Sequence, residues 1–94
     1  MAEPKTLAEV RARIDELDAE LIGKLAERQG LVRAAAVFKA DEHAVRAPGR
    51  VEEVVALARK RAVEEGLAPE VAEAVWRAMI GAFIDWEMGQ AGVR

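Results

Sequence analysis

The sequence has no cysteine and no tyrosine, a single histidine, and only three prolines, two phenylalanines and two tryptophans among 94 residues. Without cysteine there is no disulfide framework, no thiolate metal site and no thiol nucleophile. The lone His43 cannot by itself build a metal cluster or a histidine-centred triad, so no metal and no cofactor are expected. Lys and Arg number 14 against 17 Asp and Glu, a formal charge of -3 with both signs mixed along the chain. The basic stripe of a nucleic-acid binder is missing, and nucleic acid is not an expected partner. No apolar run approaches the roughly 18 residues that span a membrane. The start Met1-Ala2-Glu3-Pro4-Lys5 lacks the basic-then-apolar order of a signal peptide. A cytoplasmic protein with no membrane partner is the expectation, organised as one domain over residues 1–94.

What the chain does have is helical periodicity. Thr6-Leu7-Ala8-Glu9 fits a capping box, in which the Thr6 hydroxyl and the Glu9 carboxylate satisfy each other's backbone donors. Leu7, Val10, Ile14, Leu17, Leu21, Leu25, Leu31, Val32 and Ala35 then recur at helical spacing, predicting a first helix that runs to about Lys39. Such a helix is about 50 Å long, whereas a compact chain of this size is roughly 30 Å across. It must protrude from any monomer, and its apolar stripe needs a second chain to cover it. A twofold dimer is the commonest solution.

The stretch from Ala40 to Gly49 loses the periodicity, ends in Pro-Gly and reads as a loop. A second helix follows, with Val51, Val54, Val55, Ala58 and Ala62 on its apolar face, Gly66 as its stop and Leu67 as the accompanying hydrophobic contact. The third starts near Pro69, carries Val71, Val75, Met79, Ile80, Phe83 and Ile84 inward, and frays after Met88. No strand pattern is visible. The expected fold is all-α: a three-helix protomer with a very long first helix, paired as an intertwined homodimer.

Several charges fall where the pattern wants apolar residues. Arg28 lies on the stripe of helix one; it either snorkels to solvent or serves a site. Lys39, eleven residues on, returns to nearly the same face about 16 Å further along, so the two cations can converge on one small anion. Arg11 lies about 26 Å from Arg28 and cannot share a small ligand with it in one chain. It either pairs with Asp15 on an exposed face or, in an antiparallel dimer, reaches the partner's Arg28 and Lys39. Glu87 follows Ile80, Phe83 and Ile84 at helical spacing; it is either a partly exposed acid near the helix end or an inward carboxylate. Trp76 and Trp86 read as packing residues, Arg59-Lys60-Arg61 as a solvated face, and His43 as exposed.

Arg11 within Val10-Arg11-Ala12-Arg13-Ile14-Asp15-Glu16-Leu17-Asp18, Ala26-Glu27-Arg28, Lys39, the loop with Pro48, Arg50 and Gly66-Leu67 together resemble the all-α chorismate mutases over almost the entire chain. The resemblance implies an intertwined homodimer whose long first helix spans both active sites, and a small dicarboxylate substrate, chorismate or isochorismate. It gives Arg11 of the neighbouring chain and Arg28 the two substrate carboxylates, and Lys39 a carboxylate and the ether oxygen. It places Arg50 near the pocket and makes Ala35, Val54, Ile80 and Ile84 its apolar walls. Glu87 stands where many members have glutamine, the second donor to the ether oxygen. Ala47 and Val51 occupy positions where many mutases carry acidic residues that hydrogen-bond the ring hydroxyl. Phe38-Lys39-Ala40 and Ala47-Pro48-Gly49-Arg50-Val51 look instead like the isochorismate pyruvate lyase branch, which makes salicylate.

Both reactions are pericyclic and need no nucleophile, metal or redox cofactor. Chorismate mutase activity, with Lys39, Glu87 and Arg28 as catalytic residues, is the leading expectation. Isochorismate pyruvate lyase is the alternative, and a non-catalytic helical dimer that regulates or scaffolds a partner is the reading from another class. Lys39 beside the breaking C–O bond should stabilise the transition state more than the ground state, and the arginines should hold the reactive conformer. Glu87 can donate only when protonated; burial favours its neutral form and nearby cations favour its charged one.

Overall fold

The computed structural model describes residues 3–90. They form four helices in the order α1 Leu7–Ala36, α2 Glu42–Arg46, α3 Pro48–Glu65 and α4 Pro69–Gln90. Packing divides the chain into two compact units, Met1–Leu31 and Val32–Arg94, and the division falls inside α1.

In the first unit the Thr6 hydroxyl accepts from the Glu9 backbone N–H at 3.1 Å. The Glu9 carboxylate reaches back to the N–H of Lys5 at 2.6 Å, one residue earlier than a capping box requires. The expected start is therefore correct, with the reciprocal bond shifted by one position. No residue of α1 is buried. Leu7, Val10, Ile14, Leu17, Leu21 and Leu31 stand 37–71% exposed, so the apolar stripe is present and uncovered.

Helix α1 ends at Ala36, three residues before the Lys39 expected from periodicity. Its last carbonyls are taken by a tighter turn, with Phe38 N–H on Ala35 C=O at 3.0 Å and Lys39 N–H on Ala36 C=O at 3.1 Å. The loop expected over residues 40–49 contains α2. Asp41 caps it, its carboxylate accepting from Ala44 N–H at 2.9 Å, and Glu42 pairs with Arg46 across one turn at 2.9 Å. Pro48 disfavours a helical conformation for the residue before it. Ala47 leaves the right-handed helical region, but for a left-handed φ of 37° rather than the extended backbone that a following proline favours, and it closes α2 and opens α3. Pro48 is then the first residue of α3, where its missing N–H costs nothing.

Gly66 ends α3 with φ 79°, and the N–H groups of Gly66 and Leu67 bond back to Val63 and Ala62. This is the Schellman pattern that only glycine adopts without strain. Leu67 itself stays 45% exposed, so the expected hydrophobic contact is partial. Three residues later Pro69 opens α4. The register is antiparallel: Arg59 pairs with Glu73, and seven residues earlier on α3 Glu52 pairs with Arg77, four residues later on α4. Ala58 and Ala62 of α3 and Ala72 of α4 are buried, and these small side chains let the two backbones approach closely. Val55, Ile80 and the α2 residue Val45 complete the buried apolar set. Val71 and Val75, expected inward, are 47% and 50% exposed. The α3 contact selects instead the face through Ala72, Trp76 and Ile80, rotated from the one that periodicity favoured.

Arg77 clasps the hairpin from outside, donating to both Glu52 oxygens at 2.8 and 2.9 Å and to Glu73 at 2.8 Å. The hydrogen bond from Arg77 is the first cause that holds the Glu52 and Glu73 carboxyls below their ordinary value, and the two acids in turn push the guanidinium upward. Carboxyls depressed in the fold contribute stability that is present above their unfolded value and is lost as pH falls through the folded one. The melting temperature should therefore drop as pH falls below about 4.3, and Arg77→Met should flatten that part of the curve. Parallel pH curves for the two proteins in a calorimetric titration would rule the clasp out as a stabilising element.

Candidate active site

Within the second unit, the turn that follows α1 delivers Lys39 to α4. Its Nζ donates to Glu87 Oε1 at 3.2 Å and lies 3.1 Å from Oε2. Glu87 is 3% exposed and Lys39 26%. The ion-pair contact to Oε2 is off the hydrogen-bond direction, leaving that oxygen buried with no donor aimed at it among the described residues. An enclosed carboxylate with one unsatisfied oxygen can accept from a ligand, or, once protonated, donate to one. The neighbouring ammonium still has two further N–H groups to offer.

Local sequence explains this placement. Ile80, Ile84 and Glu87 fall at i, i+4 and i+7 on α4, so the carboxylate continues an inward apolar stripe. Ile80 is buried and Ile84 half-buried. The inward reading of Glu87 is thus what the structure adopts, and the partly exposed reading is not. Ala35, in the last turn of α1, and Val54 on α3 are half-buried. Arg50 is exposed on the first turn of α3 and hydrogen-bonded to Glu53. In the first unit Arg28 is half-buried and Arg11 exposed. The expected long-range meeting that the structure displays is therefore that of Lys39 with Glu87. His43 and Arg59-Lys60-Arg61 are exposed, as expected.

One contact was not read from the sequence: the Arg33 guanidinium lies over the Trp86 ring, 5.3 Å from its centroid. Its signal was a cation in the last turn of α1 and a tryptophan beside the inward Glu87, but neither position alone identifies a partner. Ala47 and Val51 are half-buried and bring no carboxylate to their part of the chain. Among the described residues no group of three or more His, Asp or Glu is arranged to hold a metal ion. No helix there is long and apolar enough to cross a membrane.

Among the described residues all regular structure is helical, and an enclosed lysine–glutamate pair lies on an apolar helix stripe; this defines an all-α protein. The particular family is given by comparison: the model for chorismate mutase type II matches residues 10–88, and the chain belongs to that family. The chain is also 35% identical over 78 residues to the isochorismate pyruvate lyase of Pseudomonas aeruginosa, a match covering 83% of this chain and 77% of that one.

Removing one member of an enclosed ion pair strands the other. Lys39→Met should destabilise the fold by about 1–3 kcal/mol at neutral pH, and adding Glu87→Gln in the same chain should recover most of that loss. If urea unfolding shows the double variant to be no more stable than Lys39→Met, the pair is not what holds this turn against α4.

Proposed function

We propose that the chain is a pericyclic catalyst acting on a chorismate-type diacid, and that its reaction is the rearrangement of chorismate to prephenate. The observation that carries this reading is the enclosed Lys39–Glu87 pair with its unsatisfied Oε2, set on the Ile80–Ile84 stripe. In the rearrangement the ether C–O bond breaks while a C–C bond forms, with no proton or hydride transferred to the protein. Negative charge grows on the ether oxygen in the transition state. Lys39 is assigned to donate to that oxygen from one side and Glu87, as the neutral acid, from the other. Arg28, and Arg11 supplied by a second copy, are assigned to the substrate carboxylates, with Arg50 close by and Ala35, Val54, Ile80 and Ile84 as apolar walls. No metal or cofactor takes part in this scheme.

A second reading has its own support: the same site would cleave isochorismate to salicylate and pyruvate. The relative from Pseudomonas aeruginosa bears the lyase name. Ala47 and Val51 also leave the site without carboxylates for a ring hydroxyl. Incubation with chorismate and isochorismate separately, followed by product identification, decides between the two. Prephenate supports the first and salicylate with pyruvate the second; no turnover of either by folded protein overturns both and favours a regulatory or scaffolding role.

The reading also requires a homodimer. The α1 stripe from Leu7 to Leu31 is uncovered, and a second copy presenting the same stripe by twofold symmetry supplies a matching apolar surface.

Three outcomes follow. With the preferred substrate, Lys39→Ala should cost about 3 kcal/mol or more of transition-state stabilisation, roughly 100-fold in kcat; unchanged turnover removes Lys39 from the chemistry. Glu87→Gln, which keeps an N–H donor at this position, should retain most of the turnover that Glu87→Leu loses; equal turnover in the two variants would exclude Glu87 as a donor. Sedimentation equilibrium should find a dimer at micromolar concentration that Leu17→Asp dissociates, and a monomeric parent protein would contradict the shared-site arrangement.

A further inference from the structure

Lys39 does not reach Glu87 from a helix. It sits on a turn three residues past the end of α1, and Val37 and Phe38, which precede it, are 80% and 88% exposed. Those two side chains contribute little to holding the turn down. What ties Lys39 to α1 is its own N–H on Ala36 and that of Phe38 on Ala35. The position of the lysine is therefore inherited from the last turn of α1, and that turn contains Arg33.

Arg33 and Lys39 contact consecutive residues of α4. The Arg33 guanidinium lies 5.3 Å from the centroid of Trp86, and the Lys39 ammonium holds Glu87. A guanidinium over an indole face is attracted by the ring quadrupole and, being planar, can lie flat against it. The two cations thus hold consecutive residues of α4 from either side of the exposed Val37 and Phe38. From this geometry, and resting on the catalytic reading of Lys39 given above, we propose that Arg33 is a positioning residue: its stack on Trp86 fixes the end of α1 so that Lys39 is held at Glu87.

Among the described residues Arg33 makes no hydrogen bond or ion pair to either member of the pair, so its contribution passes through placement. Placement of a group that acts on charge developing in the transition state is read in kcat rather than in KM. A cation–π contact at an exposed position corresponds to about a two- to fivefold change in an equilibrium or rate. The cation and the ring are both required, which separates this role from simple covering of apolar surface.

The experiment compares Arg33→Ala, Arg33→Lys, Trp86→Leu and the double variant Arg33→Ala/Trp86→Leu in the full chain, with kcat and KM measured on whichever of chorismate and isochorismate is turned over. Arg33→Ala and Trp86→Leu should each lower kcat about two- to fivefold with KM little changed. The double variant should be no worse than the poorer single one, and Arg33→Lys should restore most of the rate. Full kcat in Arg33→Ala, or losses that multiply in the double variant, would overturn the proposal. A second readout does not depend on turnover. The carboxyl carbon-13 resonance of Glu87, assigned by its disappearance in Glu87→Gln, should shift in Arg33→Ala and return towards its original position in Arg33→Lys. An unmoved resonance overturns the positioning role even if the enzyme is active. A shifted resonance in a protein that turns over neither substrate supports the positioning geometry and overturns the catalytic reading instead.

Discussion

Everything assigned to this site depends on one ion pair, the Lys39 ammonium against a Glu87 carboxylate that is 3% exposed. Enclosing a carboxylate is expensive, and its attraction to one half-exposed ammonium need not repay the lost hydration. An apolar pair of similar volume would serve packing as well or better. Lys39 hydrogen-bonds one Glu87 oxygen and lies 3.1 Å from the other, which has no hydrogen-bond partner among the described residues. An incompletely satisfied polar pair on the buried stripe of α4 has the chemistry of a site prepared for something else to bind. The Lys39 N–H donors match the needs of an ether oxygen that gains negative charge as its bond breaks, and Glu87 serves that oxygen only as a protonated donor.

The helices serve this pair in different ways. The α3–α4 hairpin, closed by Gly66 and packed through alanines, provides a base on which Ile80, Ile84 and Glu87 share one face. The end of α1 supplies Lys39 through a short turn. The remainder of α1 contributes no buried residue, and its apolar stripe is the part of the sequence whose purpose the single chain does not fulfil. A symmetric partner is the simplest way to give that stripe a function and, in the proposed scheme, to supply Arg11.

The sequence was most informative where one local rule acts alone. Thr6, Gly66 and Pro69 mark helix boundaries through capping and backbone preferences that need no tertiary context, and they lie where expected. The small helix α2 escaped because five residues are too few for periodicity, although Asp41 as cap and the Glu42–Arg46 pair were visible signals. Val71 and Val75 were misplaced because hydrophobicity alone cannot select between adjacent faces of α4; the alanines of α3 settle which face can approach closely. Glu87 was legible as a departure from an apolar stripe, and Lys39 through its spacing from Arg28 and its family position. The Arg33–Trp86 stack was not legible, since a contact between residues 33 and 86 depends on how the helices meet.

The central claim is that the Lys39–Glu87 pair is preorganised for a transition state. It is tested most directly by titration calorimetry with a bicyclic dicarboxylate that mimics the rearranging ring. The folded wild-type protein should bind this analogue at least about 100-fold more tightly than chorismate, and Lys39→Met should lose most of that advantage while remaining folded. Equal affinity of the two proteins for the analogue, or no binding by the folded wild type, would contradict the account.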